Sequence, residues 1–163
     1  MSPVSYLLQH YFVRPLEEKD LPYTTRWYGK YAGLPRSEWS LILQQYQEQF
    51  RDPDDPWRSN AHVMVAGKRP VFLLELTAGQ AYLLTSPSIA TNPRRLMLAW
   101  QAALVYLFLQ AKLPEVRINV HAGNKAEVVA LERLGCLKET VHKEKSGIHY
   151  MYLCSCEDFK PGM

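Results

Sequence analysis

The chain has 163 residues, enough for one domain (1–163) with a core of its own. Apolar residues make up 47% and charged residues 21%, which excludes a disordered or fibrous chain. The net charge is only +3 and the basic residues are scattered (Lys68–Arg69, Arg94–Arg95, Lys143–Lys145), which excludes a nucleic-acid arm.

The most apolar stretch, Leu96–Leu109, is broken by Gln101 and is shorter than the ~20 residues of a membrane span, so a buried helix is expected and no membrane contact. The cysteines are Cys136, Cys154 and Cys156. Cys154 and Cys156 sit two apart in one strand, facing the same way with little room for a bridge. An odd count without a signal peptide favours a reducing, cytoplasmic setting. No Cys or His pair has ligand spacing matched by a second pair, so no metal is expected.

In chain order, Tyr6–Pro15 reads as a strand. Asp20 stands as N-cap before Leu21 and Pro22, opening a helix that Gly29 stops near Tyr28. Ser37 caps a second helix over Glu38–Phe50, with Trp39, Ile42, Leu43, Tyr46 and Phe50 at helical spacing. Arg51–Trp57, rich in Pro and Asp, reads as a loop. Ala61–Ala66 and Val71–Thr77 flank a Gly67–Lys68 turn, and Gln80–Ser86 follows a turn at Gly79. Asn92 caps, and Pro93 opens, a long helix to about Lys112. Val116–Ala122 is a strand. Asn124 opens another helix, with Glu127 completing a capping arrangement and Gly135 ending it. Strands Lys138–Lys143 and Ile148–Cys154 close the chain around a Ser146–Gly147 turn. The order β-α-α-β-β-β-α-β-α-β-β implies an α/β fold: a mixed central sheet with helices on both faces, its parallel pairing after residue 80.

This order, with "VRINVHAGNKAEVVALERLGC" over Val116–Cys136, resembles the GCN5-related N-acetyltransferase (GNAT) superfamily over nearly the whole chain. Asn124 holds the helix asparagine, Ala126 a small helical position, and Gly135–Cys136 the place of a usual Gly-Phe. "VRPLEEKDLPYTTRWY", "GKRPVFLLEL", "AYLLTSP" and "ALVYLFLQ" are similar to aerobactin- and mycobactin-type siderophore acyltransferases. The resemblance implies an acyl-CoA-dependent N-acyltransferase, with acetyl-CoA or another acyl-CoA as co-substrate and a small amine or hydroxylamine as acceptor. It leaves room for a carrier or partner protein and for a homodimer.

The departures are specific. The family's glycine-bearing pyrophosphate loop falls on "SPSIATNPRR", which has no glycine and so no backbone free to approach a diphosphate closely. Arg94 and Arg95 can compensate with charge. The siderophore branch's strand histidine falls on Tyr82, its acidic residue before the asparagine on Gly123, and the general family's tyrosine acid on Leu131. These losses motivate the competing expectation of a non-catalytic GNAT-like binding module.

By resemblance, thioester and pantetheine lie along Leu83, Leu84 and Thr85, with Asn124 as helix cap and contact to the pantetheine arm. His121, at a strand end beside that helix, has a side chain suited to proton transfer near neutrality or to a structural surface role. Glu75, among leucines, is either a desolvated base or a residue on a polar sheet edge. Tyr82 can act as acid or simply pack. Trp27, Tyr28, Tyr31, Trp39 and Trp57 either wall an acceptor pocket or pack the first helices. His62, His142 and His149 read as ordinary strand residues.

Overall fold

The strands form two antiparallel sheets in the computed structural model, which describes residues 7, 9–77, 80–145 and 147–159. The first sheet has the spatial order β1 (Tyr11–Pro15), β2 (Ala61–Ala66), β3 (Arg69–Thr77), β4 (Gln80–Thr85). The second places β7 (Gly147–Ser155) between β5 (Glu115–His121) and β6 (Leu137–Glu144). The expected parallel pairing needs correcting. Every ladder among the described residues is antiparallel, and β4 and β5 approach each other without sharing one.

Strand alternation sends side chains to two cores. On one face Val63, Val65 and Leu73 pack with Leu21, Trp27 and Phe50, under helices α1 (Leu21–Tyr31), α2 (Arg36–Arg51) and α3 (Pro56–Asn60). On the other, Met64, Phe72 and Leu74 pack with Leu96, Trp100 and Leu131. That face carries the short α4 (Pro87–Ala90), α5 (Pro93–Val105) and α6 (Lys125–Arg133). Trp100 and Phe72, both at 0% exposure, meet edge-on with ring centroids 4.7 Å apart. A buried aromatic pair of this kind adds about 1 kcal/mol beyond its area burial.

Helix starts chosen by side-chain chemistry stand where expected. Asn92 Oδ1 accepts from the Arg95 N–H at 3.1 Å, and Asn124 Oδ1 from the Glu127 N–H at 3.4 Å. Gly135 takes a φ of 93°, which the end of α6 requires and a side chain would resist. Other expectations are corrected. β1 begins only at Tyr11, with residues 9 and 10 helical; Tyr6, Leu8, Gly79 and Ser146 lie outside the described residues. Gly29 does not stop α1, which runs on to Tyr31. Its missing side chain lets the Trp39 indole close in: a Cβ there would lie 2.5 Å from Trp39 Nε1. The α2 cap position is Pro35, not Ser37, and the Arg51–Trp57 loop already contains the start of α3, capped by Asp55. The long helix loses α-geometry at Tyr106 and finishes as a π-turn to Gln110.

Cys136 and Cys154 form a disulfide, and both are buried; Cys156 is free and exposed. The partner of Cys154 is therefore not its near neighbour but the residue that leads from α6 into β6. A bonded pair runs against the reducing setting that the odd cysteine count favours. None of the described helices is long and apolar enough to cross a membrane.

Asp20 holds the N-cap position of α1, as expected, but its side chain makes no capping bond to that helix. It sits in a 3₁₀ turn (Glu18–Asp20), where its carboxylate accepts two bonds from Arg14 at 2.7 and 2.8 Å and one from the Glu17 N–H at 2.8 Å. Burial pushes its pKa up, but the Arg14 and Glu17 bonds with the Arg14 and Lys19 charges outweigh this, and the net shift is downward. A carboxyl depressed on folding stabilises the protein above its unfolded pKa, and that contribution is lost as pH falls through the folded value. Asp20→Asn should therefore cost about 2 kcal/mol in urea unfolding at pH 7, with the gap narrowing below about pH 4. A gap that stays constant down to pH 2 would show that the Asp20 charge contributes nothing.

Candidate functional site

Helices α1, α2 and α3 leave a cavity of 320 Å³ against β3 and β4. Tyr28 of α1, Tyr46 of α2 and Trp57 of α3 form its walls; Leu83 and Leu84 of β4 and Glu75 of β3 also line it. Tyr46 reaches it because the Leu43–Tyr46–Phe50 spacing turns that stripe of α2 toward the sheet. The Tyr28 and Tyr46 rings meet edge-on at 6.3 Å, and Tyr46 and Trp57 lie 5.6 Å apart. Trp57 Nε1–H donates to Glu75 Oε1 at 3.0 Å, which fixes the carboxylate in a mostly apolar chamber that Thr24 also lines. Burial, with smaller contributions from Tyr28 and Glu75, raises the Tyr46 pKa, so its phenol stays neutral at physiological pH. Aromatic faces and one carboxylate attract the same kind of guest, an organic cation.

On the opposite face a groove of 1160 Å³ runs between α5 and α6. Arg94, Lys125 and Arg133 edge it, Met97 and Val129 are among its apolar lining, and no carboxylate lines it. Arg94 and Lys125 stand at the first turns of their helices, where the backbone dipoles also favour negative charge. Cavity and groove lie on either side of β4, whose Leu84 packs with the first core and Leu83 with the second.

Between them stands Glu127, which is 7% exposed. One oxygen accepts from Thr85 Oγ1 at 2.8 Å and from Trp100 Nε1 at 3.2 Å; the other accepts from Asn124 Nδ2 at 2.7 Å. The carboxylate thus ties the end of β4 to α5 and to the start of α6. Burial raises its pKa, and the Thr85 and Trp100 bonds pull it only partway back. The capping pattern marks Glu127 in the sequence, but the cap is only part of its role. Its reach to Thr85 and Trp100, 42 and 27 residues away in the chain, leaves no local signal.

The structure gathers some of the expected residues and scatters others. Glu75, Leu83 and Leu84 share the cavity, with Tyr28 and Trp57 from the aromatic set. Trp27 and Trp39 turn instead to a separate basic cleft, and Tyr46, read only as a core residue, replaces them. Arg94 lines the groove, while Arg95 is exposed and its backbone N–H donates to Asn92. Tyr82 pairs in register with Glu75 across β3 and β4; its side chain, like that of Tyr31, lies outside the described residues. His121 lines neither cavity nor groove. Its Nδ1 accepts the Gly123 N–H at 2.9 Å, and its ring lies 5.0 Å from that of His149.

Comparison with known proteins agrees on architecture. No protein-family model and no curated protein matches the chain. Among solved structures, a mutant of the spermidine N-acetyltransferase SpeG from Vibrio cholerae superposes with a TM-score of 0.62 at 16% identity, covering 90% of this chain and 94% of that one. Mycobacterium smegmatis RimJ in complex with CoA-disulfide gives 0.64 at 14% identity, over 90% and 82%. A probable acetyltransferase gives 0.59 at 16%, over 94% and 97%. The chain has the GNAT fold. At these identities the likeness carries the fold and no more.

Proposed function

We propose that the chain is an acyl-CoA-dependent N-acyltransferase acting on a small cationic amine. The observation that carries this reading is the aromatic chamber closed by Glu75 and floored by the β4 residues Leu83 and Leu84. An alkylammonium ion enters between Tyr28, Tyr46 and Trp57, held by their ring faces and by the carboxylate. Acetyl-CoA occupies the opposite side, its phosphates beside Arg94 and Lys125 and its thioester in the β4–β5 gap, where unladdered backbone N–H groups polarise the carbonyl. Glu75 accepts one proton from the ammonium group and passes it to solvent. The freed nitrogen attacks the carbonyl carbon, the C–N bond forms and the C–S bond breaks. The second proton goes to the departing thiolate, leaving an amide and free CoA. SpeG, named for spermidine, shares the fold, which agrees with an amine acceptor. The siderophore-type resemblance adds hydroxylated lysine-like amines to the candidates.

One observation favours a second reading, a GNAT-like module without catalysis. The Thr85–Glu127–Trp100 bonds put a carboxylate at the end of β4, in the path expected of a pantetheine arm. The test is calorimetric titration with acetyl-CoA, followed by thiol release across a panel of diamines, polyamines and N-hydroxylated lysine analogues. The enzyme reading expects saturable binding and amine-dependent thiol. Absence of acetyl-CoA binding, with no thiol release from any amine, supports the second reading.

A further inference from the structure

The open face of the β5–β7–β6 sheet carries a row of imidazoles. Cross-strand register sets His121 opposite His149 on β5 and β7, and His149 opposite His142 on β7 and β6. The His142 and His149 rings stack with centroids 5.7 Å apart and planes at 22°. Glu144 lies between them: its Oε1 is 3.0 Å from His142 Nε2 and its Oε2 is 3.4 Å from His149 Nε2. The three ligand atoms of His142, Glu144 and His149 all lie within 4.8 Å of one another.

We propose that His142, Glu144 and His149 form a binding site for a divalent transition-metal ion, with Zn²⁺ as the ion it takes. Tetrahedral zinc with bonds of about 2.0–2.2 Å sets its ligand atoms about 3.3–3.6 Å apart. The two carboxylate–imidazole separations already bracket the lower end of that range, so a small rotation of the side chains closes the set. Two nitrogens and one oxygen suit a borderline ion such as zinc; Mg²⁺ and Ca²⁺ prefer oxygen-only sets. The side chain of His149 is only 13% exposed, which partly shelters one ligand. His121 is not in the set. Its Nδ1 already accepts the Gly123 N–H. Arg117, a cation on the same face of β5, is held by Glu139 at 3.1 Å and by Glu115 at 3.5 Å. With three protein ligands, a fourth position stays open to water. The ion would bridge β6 and β7 near the end of their hairpin, independently of any chemistry at Glu75.

The test uses the full chain without a histidine tag, in a Cys156→Ser background so that the exposed thiol cannot bind the metal. Zinc titrated by calorimetry should bind at one ion per chain and raise Tm, and Mg²⁺ should do neither. Cobalt at the same site should give the visible absorption of a tetrahedral ion. His149→Ala and Glu144→Gln should each weaken zinc binding about 100-fold. The control His62→Ala should leave it unchanged. Glu144 is 46% exposed at its side chain, so Glu144→Gln keeps the fold and reads binding alone. Absence of zinc binding in the parent protein, or affinity unchanged by Glu144→Gln, overturns the site.

Discussion

Glu127→Ala is expected to lower the unfolding free energy by about 3 kcal/mol at pH 7, the largest loss from any single side chain considered. The shortened residue leaves three donors without their acceptor: the Thr85 hydroxyl, the Trp100 indole N–H and the Asn124 amide. Thr85 and Trp100 are buried, at 4% and 0% exposure, so water cannot replace the lost bonds cheaply. Part of that loss is offset because the variant no longer buries a carboxylate. The pH dependence identifies this offset. A carboxyl whose folded pKa is raised contributes stability that is fully present below its unfolded pKa, about 4.3, and is lost as pH rises through the folded value. The gap between wild type and variant should therefore be widest near pH 4 and shrink upward, opposite in sign to the Asp20 effect. Urea unfolding at several pH values reads both. A loss under 1 kcal/mol would mean that the carboxylate is not the knot joining β4, α5 and α6.

The same variant bears on function. In the non-catalytic reading the Glu127 carboxylate fills a closed cleft. Alanine would then open it, and acetyl-CoA affinity would appear where the wild type has none. In the acyltransferase reading the knot holds the end of β4, and its loss weakens an affinity already present.

Glu75→Gln is expected to reduce kcat/KM for the amine about 100-fold, within the range that a positioned general base contributes, while leaving the acetyl-CoA KM unchanged. Glutamine keeps an oxygen for the Trp57 indole, so the cavity walls stay in place while the proton acceptor and its charge are gone. Steady-state kinetics with the best amine of the panel decides it. An unchanged kcat/KM would place the base elsewhere and reduce the chamber to packing.

Much of the fold was legible because local chemistry determines it. Asn92 with Pro93, and Asn124 with Gly135, mark helix ends through bonds made within a few residues. What escaped depends on distant partners. Asp20 reads as a side-chain cap until Arg14 of β1 takes its carboxylate. Gly29 reads as a stop until the Trp39 indole is seen against it. Cys136 has no visible mate in sequence because only the β6–β7 pairing brings Cys154 beside it. At the site, Glu75 stood out as a carboxylate among leucines, and the structure brings it together with Tyr28 and Trp57 of the aromatic set. His121 stood out for its chemistry alone, and the structure sets it in a different cluster. His142 and His149 look ordinary in sequence because only the hairpin register makes them neighbours.

The central claim is that an amine and a thioester meet across β4, and release of free thiol from acetyl-CoA in the presence of a diamine tests it most directly. The account predicts release that saturates with the amine and collapses in Glu75→Gln. Thiol release no faster than without protein, at acetyl-CoA concentrations that calorimetry shows to be saturating, would contradict it.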